Sequence, residues 1–596
     1  VVLERSSPLG LLSVVDSPTI PFRHAPGLSL ANTVEPPPQL GVFTDGDSLS
    51  VITAFDGDTG PLRYLDYTTS ALPYHLLDRP EVLILGAGGG AGVLQALAGG
   101  ALEVDAVELN PEVLDLVETR FAEFAGNLYG RDDVEVHLGE ARSFVARTGE
   151  TFDLIQLPLL DSFGAASAGV HSLHESYIYT VGAFQDYLDA LEPGGIVAIT
   201  RWLKLPPRDA LKLLATATRA LEQRGVADPS EHLVLIRSWK TSTLLVRNEP
   251  FTADQIAALQ TFAAERSFDL VWYSGIEAEE VNQYNVLEQP YFYEGAAALL
   301  GPEREDFIER YKFAIAPASD DRPYFFDFFK WAYLPELLAL RTQGAASMLD
   351  WGYLILFATL VQAAVLSVLL ILLPLWVRRT RFGGGAPRAR IGFYFLALGL
   401  AFLFIEIAFI QRFILFLGHP LYAVAVVLAS FLVFAGLGSA CAPAFARWVT
   451  EPPASGRGGV PRFDPIELAA GLIAVLALVY LFVLPPVFDW LMPLSDMVKI
   501  GLSLVLIAPL AFFMGMPFPL GLSRVAHISE DLVPWAWGIN GCASVLSAIL
   551  AAILAIHIGF TAVVGMATVL YLAAAAALGR AHGLQDVGRP DPVCQA

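Results

Sequence analysis

Hydrophobic and polar positions divide the chain into three kinds of segment. Residues 1–80 alternate short β-type runs with turns. The runs are Leu11–Val15, Gly41–Thr44, Leu49–Phe55 and Leu62–Tyr67, punctuated by Pro36-Pro37-Pro38, Asp45-Gly46-Asp47 and Asp56-Gly57-Asp58. Such runs between turn residues predict a small antiparallel sheet of hairpins. From Glu81 the period changes. Val82–Leu85, Val104–Glu108, Val134–Leu138, Leu154–Leu157 and Ile196–Thr200 read as strands. Helical patterns lie between them, from Pro111 to about Phe124, then around Ala141–Ala146, Val181–Leu191 and Asp209–Arg224. Strands alternating with helices predict a parallel sheet with crossover helices. Residues 231–247 add antiparallel strands. Residues 250–350 are mixed, and the aromatic run Pro317–Trp331 fits either an interfacial belt or a packed aromatic edge.

After Trp351 the pattern is apolar almost without interruption. Seven stretches reach the roughly 20 residues that a bilayer crossing needs. They lie near 352–377, 391–417, 421–446, 466–490, 497–520, 534–557 and 560–579. The expected organisation is a β subdomain over 1–80, an α/β domain with a juxtamembrane segment over 81–350, an all-α membrane bundle over 351–580 and a tail over 581–596.

Charge sharpens this division. The 596 residues carry a formal net charge of −23, and 16% of them are charged. Residues 351–596 hold 13 of the 37 Lys and Arg but only 10 of the 60 Asp and Glu. That half is therefore +3 and residues 1–350 are −26. An acidic water-facing half argues against nucleic acid as a partner, because phosphate binding wants a basic face. Cys441, Cys542 and Cys594 all lie beyond residue 350, so the first half has no Cys-ligated metal site or disulfide framework. The first residue is Val, so earlier segments, further spans included, can precede it.

The candidate chemistry begins at Gly86-Ala-Gly-Gly-Gly-Ala-Gly92, between a strand and a helix. Gly86, Gly88 and Gly90 permit a tight turn and let backbone N–H groups approach a ligand. Glu108 ends the next strand, where a carboxylate accepts both hydroxyls of a ribose in nucleoside-binding α/β folds. The competing reading is a structural turn plus a solvated Glu. Glu140, followed by Ala141, ends the third strand. It either reads an adenine edge or serves as an acid at a helix N-terminus.

Leu83-Ile-Leu-Gly-Ala-Gly-Gly-Gly90, Val107-Glu-Leu-Asn-Pro111, Gly139-Glu-Ala-Arg142 and Leu191-Glu-Pro-Gly-Gly195 resemble the polyamine aminopropyltransferases, the spermidine and spermine synthases. These are relatives of the S-adenosylmethionine-dependent methyltransferases. The resemblance covers roughly residues 8–245. The whole chain is similar to bacterial membrane-bound spermidine synthase-like proteins, with Met514–Gly521 and Trp535–Gly541 adding to the likeness. It implies a Rossmann-like domain with an N-terminal β-hairpin subdomain, fused to about seven transmembrane helices. It also implies decarboxylated S-adenosylmethionine, or S-adenosylmethionine itself, as co-substrate, a small amine as acceptor and no metal. Asp161 fits the proposed base, Tyr177 the aromatic sixteen residues later, and Tyr67 a tyrosine lining the amine site. The sequence also departs from the family. Gly164 stands where a second acid is expected, Gly89 replaces an acid inside the glycine loop, and Thr68 replaces a His or Gln. A hydrogen bond to a charged group is worth about 1.5–3 kcal/mol, so two lost acids cost orders of magnitude in cation affinity. His171, His174 and Glu175 lie near Asp161 as substitutes or as loop and cap residues.

Three functions follow as alternatives. One is a membrane-anchored S-adenosyl-type transferase. Another is a non-catalytic binding platform, as a subunit of a membrane complex or a homo-oligomer. The third is a transporter or channel with a nucleoside- or polyamine-sensing domain. Within the spans Glu406, Gln411, Arg412 and Asn540 are costly polar groups. Glu406 and Arg412 do not share a helix face, and Asn540 is a candidate partner for Glu406. Pro509, Gly515, Pro517 and Pro519 interrupt the fifth span, either as kinks or as a broken helix lining a site. The expected location is the bacterial cytoplasmic membrane. Arg378, Arg379, Arg381, Arg388, Arg390, Arg447, Arg457, Arg462, Arg524, Arg580 and Arg589 all fall on one side of the seven spans. The positive-inside rule places that side in the cytoplasm and residues 1–350 outside. A protease added to intact spheroplasts is then expected to cut within residues 1–350 and spare a C-terminal tag. Full protection of residues 1–350 would reverse the orientation.

Overall fold

The computed structural model describes residues 1–17, 19–160, 175–339, 351–377, 388–450 and 464–579. The chain divides into two compact units, Val1–Tyr353 and Leu354–Ala596. The first begins with an antiparallel sheet of β1 (Leu3–Ser7), β2 (Gly10–Val15), β3 (Gln39–Thr44) and β4 (Asp47–Thr53), in that order. The strand expected at Leu62–Tyr67 is instead a 3-10 helix, Gly60–Tyr67. Pro61 explains the difference. It lacks the N–H a ladder needs, and its fixed φ suits the first turn of a helix.

The second sheet has eight strands: β5 (Glu81–Leu85), β6 (Glu103–Glu108), β7 (Val134–Leu138), β8 (Phe152–Leu157), β9 (Leu191–Trp202), β10 (Leu233–Arg237), β11 (Thr241–Val246) and β12 (Asp269–Trp272). Their spatial order is β12-β10-β11-β9-β8-β5-β6-β7. β9, β8, β5, β6 and β7 run parallel, and β11 joins β9 antiparallel. The crossovers carry α1 (Ala91–Ala98), α2 (Pro111–Asp115), α3 (Ala141–Thr148), α4 (Val181–Asp189) and α5 (Asp209–Gln223). α2 is shorter than expected. It passes into a π turn at Leu116–Arg120 and stops before Phe124.

Alternation along the strands divides the core. Val82 and Ile84 pack on one face with Leu12, Val42 and Ile52 of the N-terminal sheet. Leu83 and Leu85 pack on the other with Phe184 of α4, Leu214 of α5, Phe325 and Phe328. Burial on both faces is why these strands read as continuous apolar runs. It also decides the role of residues 317–331: Tyr324, Phe325, Phe328 and Phe329 are buried, and Phe325 lies 4.8 Å from the Tyr179 ring. This run is a packed aromatic edge of the first unit.

The second unit consists of helices joined by short turns among its described residues. Seven stretches there are long and apolar enough to cross a membrane: Gly352–Val377, Arg388–Leu417, Pro420–Thr450, Pro465–Leu491, Asp496–Ile528, Glu530–Ile558 and Phe560–Leu578. The fifth is not one rod. It breaks into Asp496–Met514 and Pro517–Ile528. Small residues let neighbouring backbones touch here. A Cβ on Gly438 would lie 1.8 Å from the Phe512 carbonyl oxygen, and one on Gly515 would lie 2.0 Å from that of Ala435.

Within the first unit Arg142 clamps three segments. Its Nε donates to Asp186 Oδ2 of α4 at 2.7 Å, and its Nη1 and Nη2 donate to Asp320 Oδ1 and Oδ2 at 2.6 and 2.9 Å. Nη1 also reaches Thr180 Oγ1 at 3.2 Å. Burial works against the Asp320 charge, but the Arg142 guanidinium outweighs it and holds that carboxyl below its ordinary range. Burial wins at Asp186 and raises it. Arg142→Met is expected to destabilise the unit by about 2–3 kcal/mol. That is less than the roughly 3–5 kcal/mol of a fully buried broken pair, because the Asp320 side chain is 38% exposed and solvent screens it. The Asp320 contribution is present above the unfolded carboxylate value near pH 4 and disappears as pH falls through its lower folded value. Urea unfolding of the solubilised chain at pH 7 and pH 3 measures both effects. The wild-type advantage over the variant should shrink at the lower pH.

Candidate functional site

Strand order reverses between β5 and β8, and the carboxyl ends of the strands beside such a switch point form a ligand crevice. The glycine loop leaves β5 there. Gly86, Gly88 and Gly90 have φ of 99°, 53° and 93°, which side-chain-bearing residues rarely adopt. The Gly86 and Ala87 N–H groups are used up on the Val107 carbonyl at 2.9 Å. Tyr129 Oη donates to the Gly88 carbonyl at 2.9 Å, and the Gly89 N–H donates to Ser50 Oγ at 2.9 Å. The loop is therefore held from both sides, by the segment after α2 and by the N-terminal sheet.

Glu108 closes the crevice at the end of β6. Its Oε2 accepts from Gly88 N at 2.9 Å and its Oε1 from Asn110 N at 2.8 Å. A carboxylate has about four lone-pair positions, and with the further backbone donor at Leu109 at least one remains. Burial pushes this carboxyl above its ordinary range despite the backbone donors. The Gly139 N–H donates to the Glu108 carbonyl at 2.9 Å, which brings the ends of β6 and β7 together. Glu140 follows as the N-cap of α3. Its Oε1 accepts from Arg142 N at 3.2 Å and its Oε2 from Ser143 N at 2.8 Å. Capping alone thus accounts for an acid at 140. Ala141 is the first residue of α3.

The remaining candidates are less concentrated. Asp161, Gly164, His171 and His174 lie outside the described residues. Tyr177 is buried in the 3-10 turn Tyr177–Tyr179. Glu175 accepts from Tyr324 Oη at 3.1 Å, and burial raises its carboxyl. Tyr67 lies at the end of the Gly60–Tyr67 helix with the Arg266 guanidinium 5.4 Å over its ring. Thr69, two residues on, bonds Thr241 and Thr243 of β11, so this segment abuts the carboxyl end of β9 and the start of β11. There Lys240 Nζ stands 5.3 Å over the Trp202 ring and 5.6 Å over that of Trp239. The protein's own cations thus cover the aromatic faces on this side of the site.

The structure also gives a physical reason for Gly89. A Cβ there would lie 2.2 Å from the Val51 carbonyl oxygen and 2.5 Å from its carbon, both backbone atoms of β4. No acid fits in this loop as it stands. A buried polar group escaped the sequence reading. Gln156 Nε2 donates to Gln95 Oε1 at 3.0 Å, Gln95 Nε2 donates to Thr68 Oγ1 at 2.8 Å, and Tyr74 Oη donates to Gln156 Oε1 at 2.5 Å. The available signal was a glutamine inside the apolar run of β8. Such a residue is tolerated only when its amide is satisfied.

In the second unit Asn540 does not meet Glu406. Its Nδ2 donates to the Phe395 carbonyl at 3.1 Å. Arg412 Nη2 donates to Thr561 Oγ1 at 3.0 Å. Among the described residues one group, Asp105, Glu135 and His137, places three possible metal-ligand atoms within 4.8 Å of one another. It lies along β6 and β7, and His137 Nε2 is already 2.6 Å from Asp105 Oδ1.

Residues 70–205 match the spermine/spermidine synthase domain family. Polyamine aminopropyltransferase 2 of Hyperthermus butylicus is 28% identical over 118 residues, which is 20% of this chain and 36% of that protein. The polyamine aminopropyltransferase of Korarchaeum cryptofilum is 30% identical over 122 residues, 20% of this chain and 36% of the relative. The matched stretch thus spans about a third of each curated relative. Among solved structures, spermidine synthase from Thermotoga maritima covers 52% of this chain and 86% of its own, with a TM-score of 0.29 and 14% identity. A probable spermidine synthase from Corynebacterium glutamicum covers 44% of this chain and 86% of its own, with a TM-score of 0.30 and 13% identity. Residues 70–205 are therefore similar to the spermine/spermidine synthase domain, and they are followed by a helical region with seven stretches long and apolar enough to span a membrane.

Proposed function

We propose that the first unit is a membrane-anchored S-adenosyl-type transferase that binds its nucleoside co-substrate between the glycine loop and Glu108. The observation that carries this reading is the Glu108 carboxylate. Backbone N–H groups of Gly88, Asn110 and Leu109 orient it, and at least one lone pair is left for a ribose hydroxyl. The glycine loop fits the same ligand, since its positive-φ residues present backbone rather than side chains to the crevice.

For decarboxylated S-adenosylmethionine the reaction is a displacement. The acceptor amine nitrogen attacks the aminopropyl carbon attached to the sulfonium. The C–N bond forms as the C–S bond breaks, and the bonding pair returns to sulfur as a neutral thioether. Asp161, the candidate base, takes the proton the amine loses. Positioning supplies most of the acceleration, because both reactants are held in line in one crevice. S-adenosylmethionine itself remains an alternative donor for the same crevice.

A second reading has specific support. Gly89 leaves no room for an acid, and Lys240 and Arg266 lie over the rings of Trp202, Trp239 and Tyr67. This arrangement disfavours a polycationic acceptor. It suits a binding platform within a membrane complex or homo-oligomer, or a transferase with a less cationic acceptor.

Titration calorimetry of the solubilised full chain with decarboxylated S-adenosylmethionine and with S-adenosylmethionine separates these readings from a purely structural loop. Glu108→Gln is expected to weaken nucleoside binding at least tenfold. Wild-type binding is expected to weaken as pH falls, because protonation removes the carboxylate acceptor. Absence of binding at millimolar ligand would overturn both readings. Binding without turnover of any amine would leave the platform. Gly89→Asp, which restores the family's acid, is expected to lower stability by about 1–3 kcal/mol through the Val51 clash and not to raise amine affinity. Thermal unfolding and amine titration of that variant check this.

A further inference from the structure

Glu406 is a carboxyl far from either end of the apolar helix Arg388–Leu417, and it is only 5% exposed. Among the described residues it has no hydrogen-bond or ion-pair partner. A polar side chain kept at such a position without one is expensive and is a functional candidate by default. It is not isolated from other titratable groups, however. The buried Tyr571 phenol lies on Phe560–Gly579, a helix packed against this one. Tyr394, also buried, lies on the helix that carries Glu406. Its hydroxyl donates to the Pro517 carbonyl, at the start of the helix whose Arg524 pairs with Asp464 at 2.7 Å. Past Glu406 on its own helix, Arg412 bonds Thr561.

These groups form an ordered series. The Asp464–Arg524 pair lies at the start of Pro465–Leu491 and within Pro517–Ile528. Tyr394 is near the start of its helix, and Glu406 lies past that helix's midpoint. Arg412 is nearer its C-terminal end, against the start of Phe560–Gly579. Tyr394 and Tyr571 are buried. Twelve residues separate Tyr394 from Glu406, about 18 Å along a helix at 1.5 Å per residue, so the series covers much of a bilayer core of about 30 Å. Of the other charged or titratable groups on neighbouring helices, Lys499 is near the start of Asp496–Met514 and His557 at the end of Val533–Ile558, whereas Tyr480 is mid-helix in Pro465–Leu491, its ring 6.0 Å from that of Phe409 and its hydroxyl donating to the Leu506 carbonyl at 2.7 Å. Cys542 is mid-helix and donates to the Ser367 carbonyl at 3.7 Å.

We propose that Glu406 is the proton-binding station of this series, and that the second unit moves protons across the membrane. The ligand class follows from the donor count. One carboxylate and a phenol cannot replace the six to eight oxygens of a hard metal cation, whereas a proton needs one oxygen. Uptake forms an O–H bond on Glu406, and release returns the proton to the opposite side, so one positive charge crosses per cycle. Tyr571 is a buried phenol on Phe560–Gly579 and is not hydrogen-bonded to the carboxyl. This proposal is independent of the transferase reading, because none of its residues belongs to the first unit.

The test reconstitutes the full chain in vesicles that contain a pH-sensitive dye, with a potassium gradient and valinomycin setting the potential. Proton entry is expected to run at least tenfold faster than in protein-free vesicles. Glu406→Gln, which keeps shape and size, should remove that excess. Glu406→Asp should retain part of it. A hydrophobic carbodiimide applied to the wild-type chain should form an adduct on Glu406, located by mass spectrometry, and block the flux. That arm does not depend on any variant folding. Wild-type flux equal to that of protein-free vesicles would overturn the proposal. So would undiminished flux in Glu406→Gln, or carbodiimide block without an adduct on Glu406.

Discussion

The central sheet is buried on both faces, and the placement of everything else in the first unit follows from that. Val82, Leu83, Ile84 and Leu85 are all fully buried, the even pair under the N-terminal sheet and the odd pair under α4, α5 and the aromatic run. The faces of β5 leave no room for polar chemistry. Groups that must meet solvent or a ligand are therefore confined to the carboxyl edge, where the backbone turns out of the ladder. Gly86 to Gly90, Glu108 and Glu140 stand there in strand order. Among the polar side chains that stay inside, Gln156 is held by Gln95 and Tyr74.

Much of this was legible from periodicity and punctuation. The five parallel strands, their crossover helices and the seven apolar stretches follow from runs of four to six apolar residues, helical spacing and long uncharged segments. What was not legible depended on contacts distant in sequence. Leu62–Tyr67 alternates like a strand, yet Pro61 starts a 3-10 helix there. The aromatic run near 325 fits a membrane belt by composition, and only the packing of Phe325 and Phe328 against α5 decides otherwise. Asn540 was a plausible partner for Glu406 by residue type, but its amide reaches the backbone of Phe395. Arg142 looked like the end of a motif and is instead a clamp across three segments.

The candidate site shows the same division. The nucleoside half was readable because its glycines and its acid are local features tied to single strand ends. The acceptor half depends on what two separate sheets place opposite each other. Gly89 reads as a missing acid in sequence, whereas in space it is the point where the loop touches the backbone of β4. Lys240 and Arg266 are unremarkable in sequence, but the fold sets them over Trp202, Trp239 and Tyr67.

The shared core under the first sheet also has a consequence for synthesis. Leu12, Val42 and Ile52 are buried by side chains from β5 and β6, and the same cluster extends to Tyr273, Ile276 and Val281. The first eighty residues leave the ribosome with a hydrophobic face that nothing yet covers. That face is closed only after roughly two hundred more residues have been added. Contacts of such long range form slowly and leave strand edges open meanwhile. Among the described residues, helices long and apolar enough to cross a membrane begin near residue 352, so little chain separates completion of this core from them. During that interval the nascent chain depends on whatever shields its exposed sheet.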